Sequence, residues 1–134
     1  MTRESTMTAR ERILSTIEHR EPDRLPVDLG ATPSSGISAV AHANLGRHLG
    51  LRDQRTRVYD VVQQLAQPSD ELLDRLRIDV VDVGRTFNAA DDDWHAMTLP
   101  GGVDVEVPAW FHPVQQPNGA WDAFTADGLR IASM

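Results

Sequence analysis

Two aspartates stand where an α/β enzyme would keep its reacting groups. Asp28 sits late in the short apolar run Leu25-Pro26-Val27-Asp28-Leu29, and Asp82 late in Ile78-Asp79-Val80-Val81-Asp82-Val83. A carboxylate near the carboxyl end of a parallel strand can orient a substrate or a pocket water. It can also cap the loop that follows or pair with a nearby arginine, because a buried carboxylate needs partners. Asp28 is open to both roles. Asp79 and Asp82 are three apart and face opposite sides of a strand. Asp79, at the strand's start, is expected to partner Arg77 or a helix, which leaves Asp82 as the pocket candidate. Arg85 follows and offers a cation to an anionic ligand, or a surface ion pair of small weight. Between the two runs lies Gly30-Ala31-Thr32-Pro33-Ser34-Ser35-Gly36. Ser34 and Ser35 could present backbone amides to a phosphate or carboxylate, but no GxGxxG or Walker spacing supports that over an ordinary loop. The candidate catalytic residues are therefore Asp28 and Asp82. The candidate substrate-binding residues are Gly30, Thr32, Ser34, Ser35 and Arg85.

Other chemistries find less footing. The five histidines are scattered: His42 and His48 are six apart and do not share a helical face, and His19, His95 and His112 stand alone. With no cysteine there is neither a disulfide framework nor a thiolate metal site. No motif calls for a cofactor or a metal. A net charge of −7, with no basic stripe, removes the electrostatic footprint of a nucleic-acid binder. The longest apolar runs are too short to span a bilayer, and the polar start MTRESTMTARER lacks a signal-peptide core, so the cytoplasm is the expected location.

The elements that must position these residues follow from periodicity. Residues 1–7 are polar and expected to be disordered. Thr8 and Glu11 form a capping-box pattern ahead of Ile13, Leu14 and Ile17, predicting a helix over 8–20 that Pro22 terminates. Residues 25–29 read as a strand with Pro26 at its start or on an unpaired side, and 30–36 as a loop. Ile37, Val40, Ala41, Leu45 and Leu49 line one face of a second helix ending at Gly50. Residues 58–67 fit a short strand or a helical turn. Ser69 caps a third helix with Asp70 and Glu71 in its first turn, and 78–83 reads as a buried strand. Strands separated by helices imply parallel pairing through right-handed crossovers. After Gly84 the pattern changes: 103–107 alternates with period two, and Pro117-Asn118-Gly119 and Asp127-Gly128 mark turns. This predicts an antiparallel β excursion, with Trp94, Trp110, Phe111 and Trp121 buried beneath it or lining a cleft.

The segments TARERILSTIEHREPDRLPVDLG, SGISAVAHANLGRHLGL and RVYDVVQQLAQPSDELLDRLRIDVVDV resemble, in that order, the amino-terminal part of the uroporphyrinogen decarboxylase superfamily, which also holds corrinoid- and coenzyme M-type methyltransferases. The similarity is clearest over residues 8–84, with EPDRLPVDLG its most telling stretch. The resemblance implies a partial (β/α)8 TIM-type barrel: a leading helix and the first two βα units over 8–84, then a β-rich insertion over 85–134. It implies porphyrin metabolism or corrinoid-dependent methyl transfer, as a carboxy-lyase or a methyltransferase. On that view Asp82 matches the decarboxylases' aspartate after their second strand. The decarboxylases' arginine-bearing RQAGR loop corresponds here to 30–36, which carries no arginine. The zinc ligands of the methyltransferases lie later than this chain extends.

A complete barrel of this type needs ~250 residues, against 134 here. The expectation is a domain fragment that is inactive alone, with one wall of a pocket. The alternative is a non-catalytic split subunit or interaction module, which meets a second polypeptide, or another copy of itself, through open strand edges.

Overall fold

The computed structural model describes residues 6–84, 90–125 and 127–133. Helix α1 (Ala9–Ile17) starts on the expected capping box, with the Thr8 side chain accepting from Glu11 N and the Glu11 carboxylate from Thr8 N. A two-residue strand β1 (Ile37–Ser38) leads into α2 (Ala39–Leu49), which Gly50 closes in the left-handed conformation. Strands β2 (Arg57–Asp60) and β3 (Leu65–Gln67) precede α3 (Asp70–Leu76), capped by Ser69. Then come β4 (Trp94–Leu99), β5 (Val103–Pro108), β6 (Val114–Gln115), β7 (Trp121–Phe124) and β8 (Arg130–Ser133).

The expected TIM-type barrel is corrected by this architecture. The strands form a five-stranded sheet in the order β1-β3-β2-β5-β4 and a three-stranded sheet β6-β7-β8. Every pairing is antiparallel except β2 with β5, which meet in parallel at Arg57 and Glu106. Two local features overturn the barrel pattern. Residues 58–67 make a hairpin rather than one strand or a helical turn. The Asp60 carboxylate accepts from the amides of Val62 and Gln63, and Gln64 adopts a left-handed φ of 54°, so β3 folds back on β2. The two runs expected as the first barrel strands, 25–29 and 78–83, enter neither sheet. They touch in parallel through a single bridge, Asp28 to Val80, with Asp79 N donating to Val27 O at 2.8 Å.

One apolar cluster unites the sheets. Val58, Val61 and Ala66 from the hairpin pack with Val105, Val107 and Leu99, with Ala39 of α2, and with Phe111, Ala123 and Ala132 from the second sheet and its approach. Trp94 and Phe111 are buried and Trp121 half-buried, whereas Trp110 is exposed. Among the described residues no helix is long and apolar enough to cross a membrane.

Candidate functional site

The parallel pair is held by charge rather than by sheet. Arg12, only 2% exposed on α1, donates from Nε to Asp23 Oδ1 at 2.7 Å and also reaches Asp79. Arg24 donates to both oxygens of Asp79, at 2.7 and 2.9 Å, and Val27 N adds a further bond at 2.9 Å. Burial would push the Asp79 carboxyl up, but the bonds from Val27, Arg24 and Arg12 outweigh it and hold the group below the usual carboxylate range. The bond that Arg12 donates to Asp23 raises the pKa of its guanidinium against its own desolvation. The charges within EPDR are thus structural: Asp23 and Arg24 clamp α1, 22–29 and 77–80 into one unit. Asp79 takes the helix partner rather than Arg77, whose carbonyl accepts from Arg24 instead.

Above this clamp, at the carboxyl ends of the pair, opens a cleft of about 290 Å³. Its floor is a close contact between Gly30 and Pro68. Gly30 has φ +82°, and a β-carbon there would meet the Pro68 ring at 2.8 Å, so the position requires glycine on two counts. Its lining mixes the apolar side chains of Leu73 of α3, Val80 and Val81 with polar groups, among them the carboxylates of Asp70 and Asp82. The described lining holds no Lys, Arg or His.

The structure brings Gly30 and Asp82 to this cleft and leaves Asp28, Thr32, Ser34 and Ser35 outside its described lining. Asp28 is exposed and takes the capping role, accepting from Ala31 N at 3.0 Å. Thr32 and Ser35 bond to one another across a single 3₁₀ turn (Pro33–Ser35), and Ser34 lies exposed on it. None of these three lines the cleft. Asp82 is itself exposed and accepts from Gly84 N at 2.6 Å. Arg85 lies outside the described residues. The residue not anticipated is Asp70: its place in the first turn of α3 reads as a favourable helix-dipole charge, and only the β3–α3 corner shows that it rims a cleft.

Two further clusters are positioned by the same sheet. Arg57 bonds to Glu106 at 2.7 Å and to Asp91, and its guanidinium lies 5.1 Å from the Trp94 ring centre. His42 of α2, 2% exposed, bonds through Nδ1 to Thr56 Oγ1 at 3.0 Å, while its Nε2 has no partner among the described residues. Desolvation lowers its pKa, opposed only by the charge of Asp53. The described residues contain no group of three or more His, Cys, Asp or Glu placed to hold a metal ion. A cleft rimmed by two exposed carboxylates can bind a cation or orient a polar group. No protein-family model, no curated protein and no solved structure matches the chain.

Proposed function

We propose that this chain is a docking module that receives an extended segment of another polypeptide along the pair 25–29 and 78–83. One observation carries the reading. Parallel strands are normally covered on both faces, yet here Leu25 is 82%, Val27 41%, Val81 61% and Val83 89% exposed. These apolar side chains project from a base that the Arg12, Asp79 and Arg24 ion pairs hold in place. The two runs meet through one bridge and belong to neither sheet, and a further extended segment would pair with their backbone. Catalysis on a tetrapyrrole, the expectation from the resemblance, would need cations to face its carboxylates, and the cleft rim presents carboxylates of its own. Cytoplasmic location belongs to the same proposal.

The test uses a fluorescein-labelled octapeptide of alternating valine and serine, followed by fluorescence anisotropy against the full chain. Saturable binding is expected, lost when alternate peptide nitrogens are methylated, since pairing needs their hydrogens. It is also expected to be lost in the triple variant Leu25→Ser, Val81→Ser, Val83→Ser. Equal binding by the triple variant or by the methylated peptide refutes the proposal.

A further inference from the structure

The three-stranded sheet β6-β7-β8 carries small side chains inward and large ones outward. Ala123 and Ala132, paired in register, join the core cluster. The opposite face holds Val114 and Ser133, the register partners of Asp122. Phe124 and Ile131, two positions along the strands from Asp122 and Ser133, share that face. Val114 is 55%, Phe124 43% and Ile131 40% exposed, whereas an antiparallel sheet facing water normally turns polar residues outward.

In the middle of this apolar face sits Asp122, whose side chain is only 10% exposed. Its Oδ1 is buried with no hydrogen-bond partner among the described residues. Its Oδ2 lies 3.6 Å from Arg130 Nη1, an ion pair too long to be a hydrogen bond. A buried carboxylate held so loosely is short of donors. Arg130 is its complement: the side chain is 62% exposed, and among the described residues Asp122 is the one carboxylate it approaches.

We infer that a second copy of this chain covers the face, in a two-fold dimer where Arg130 of each copy reaches Asp122 of the other. A carboxylate short of donors beside an arginine short of acceptors matches itself when turned about a two-fold axis. Any other partner would have to carry the same acid, base and apolar pattern. Val114, Phe124 and Ile131 of the two copies would interleave as stacked sheets do, about 10 Å apart. Excluding water around the reciprocal pairs strengthens them beyond an exposed ion pair. The net charge of −7 repels a second copy at long range, but at 0.15 M salt that repulsion is screened beyond about 8 Å. Strands of at most four residues make a face only about 14 Å across. That is smaller than the ~800 Å² each partner buries in a standard interface, so the dimer is weak, with a Kd on the order of 100 µM.

Sedimentation velocity of the full chain, from about 10 µM to about 1 mM around that Kd, tests the dimer. The average mass is expected to rise toward that of two chains. The double variant Phe124→Ser, Ile131→Ser changes only exposed side chains and is expected to stay monomeric throughout. Arg130→Gln, also at an exposed position, removes both reciprocal pairs and should weaken the dimer about tenfold. Arg130→Lys keeps the charge and should recover part of that loss. A pair that acts only within one chain would alter the melting temperature of Arg130→Gln and leave its association unchanged. A parent chain that remains monomeric to about 1 mM overturns the inference. So does a Phe124, Ile131 variant that associates like the parent, or an Arg130→Gln variant that dimerises as tightly. The Leu25, Val81, Val83 triple variant should dimerise as the parent does. Loss of the dimer in that variant, with the Phe124, Ile131 variant still paired, would place the contact on the other surface and overturn the inference.

Discussion

Asp79→Asn tests the clamp that shapes the whole site. The substitution keeps the size of the side chain but replaces one of two charge-bearing oxygens by an amide that cannot accept from Val27 or Arg24. The side chains of Arg12 and Asp79 are 2% and 1% exposed, so the lost partner leaves a buried guanidinium with Asp23 as the carboxylate it still reaches and the Met7 carbonyl beside it. Removing one member of a buried pair costs about 3–5 kcal/mol. The low end applies here, because Arg24 is 28% exposed and lets water reach the network. For 134 residues, an unfolding entropy of about 2.1 cal/mol/K per residue turns about 3 kcal/mol into a Tm lowered by about 10 °C. Differential scanning calorimetry at pH 7 reads this directly. The pH profile supplies the second half of the test. Because the folded Asp79 carboxyl lies below its ordinary value, its contribution is fully present above about pH 4 and is lost as pH falls through the folded value. The gap in Tm between parent and variant should therefore narrow on acidification below about pH 4. A Tm within about 2 °C of the parent at pH 7 would refute the clamp, as would a gap that stays constant into acid.

Three further outcomes follow from the packing. His42 is buried with its pKa lowered by desolvation, so stability should be full above about pH 6.5 and decline below it as the unfolded state gains the proton first. His42→Gln should flatten urea-denaturation midpoints between pH 7 and 5, and an unchanged slope would show that the ring does not titrate as its burial requires. Gly30→Ala should destabilise by more than about 1 kcal/mol, because it adds left-handed strain to the Pro68 clash, whereas Gly50→Ala faces open space and should cost about 1 kcal/mol from strain alone. Equal losses in the two glycine variants would refute the close approach. Glu18→Gln removes an exposed pair with Arg20 and should change stability by less than about 0.5 kcal/mol in the same denaturation assay.

Local signals in the sequence were strong where one residue decides a conformation. The Thr8–Glu11 box, Ser69 at the start of α3, Gly50 after α2, and the hairpin turn between β7 and β8 all follow from side chains within a few residues of where they act. Pairing partners were not legible, because a strand's apolar alternation says which face is buried and not which neighbour buries it. Thus 25–29 and 78–83 carry the composition of covered parallel strands, yet Val81 and Val83 stand in water. At the site, Gly30 and Asp82 could be picked out by position after their runs. Asp70 could not, since its nearness to Asp82 depends on the hairpin that turns the chain back before α3. The partnership of Arg12 with Asp79, separated by 67 residues, leaves no local trace at all.

The larger sheet also has a seam. Its two hairpins, β2–β3 and β4–β5, each close over short turns, but they join through one parallel register pair, Arg57 with Glu106, across 49 residues of chain. Closing so long a loop carries a larger entropy penalty than either turn, so the hairpins should assemble early and unite late. Thr56 O accepting from Glu106 N at 2.8 Å, and the Arg57–Glu106 ion pair beside it, act as the rivets of that joint. In amide exchange the Glu106 hydrogen would then report on separation of the halves, and it should be released before those inside either hairpin.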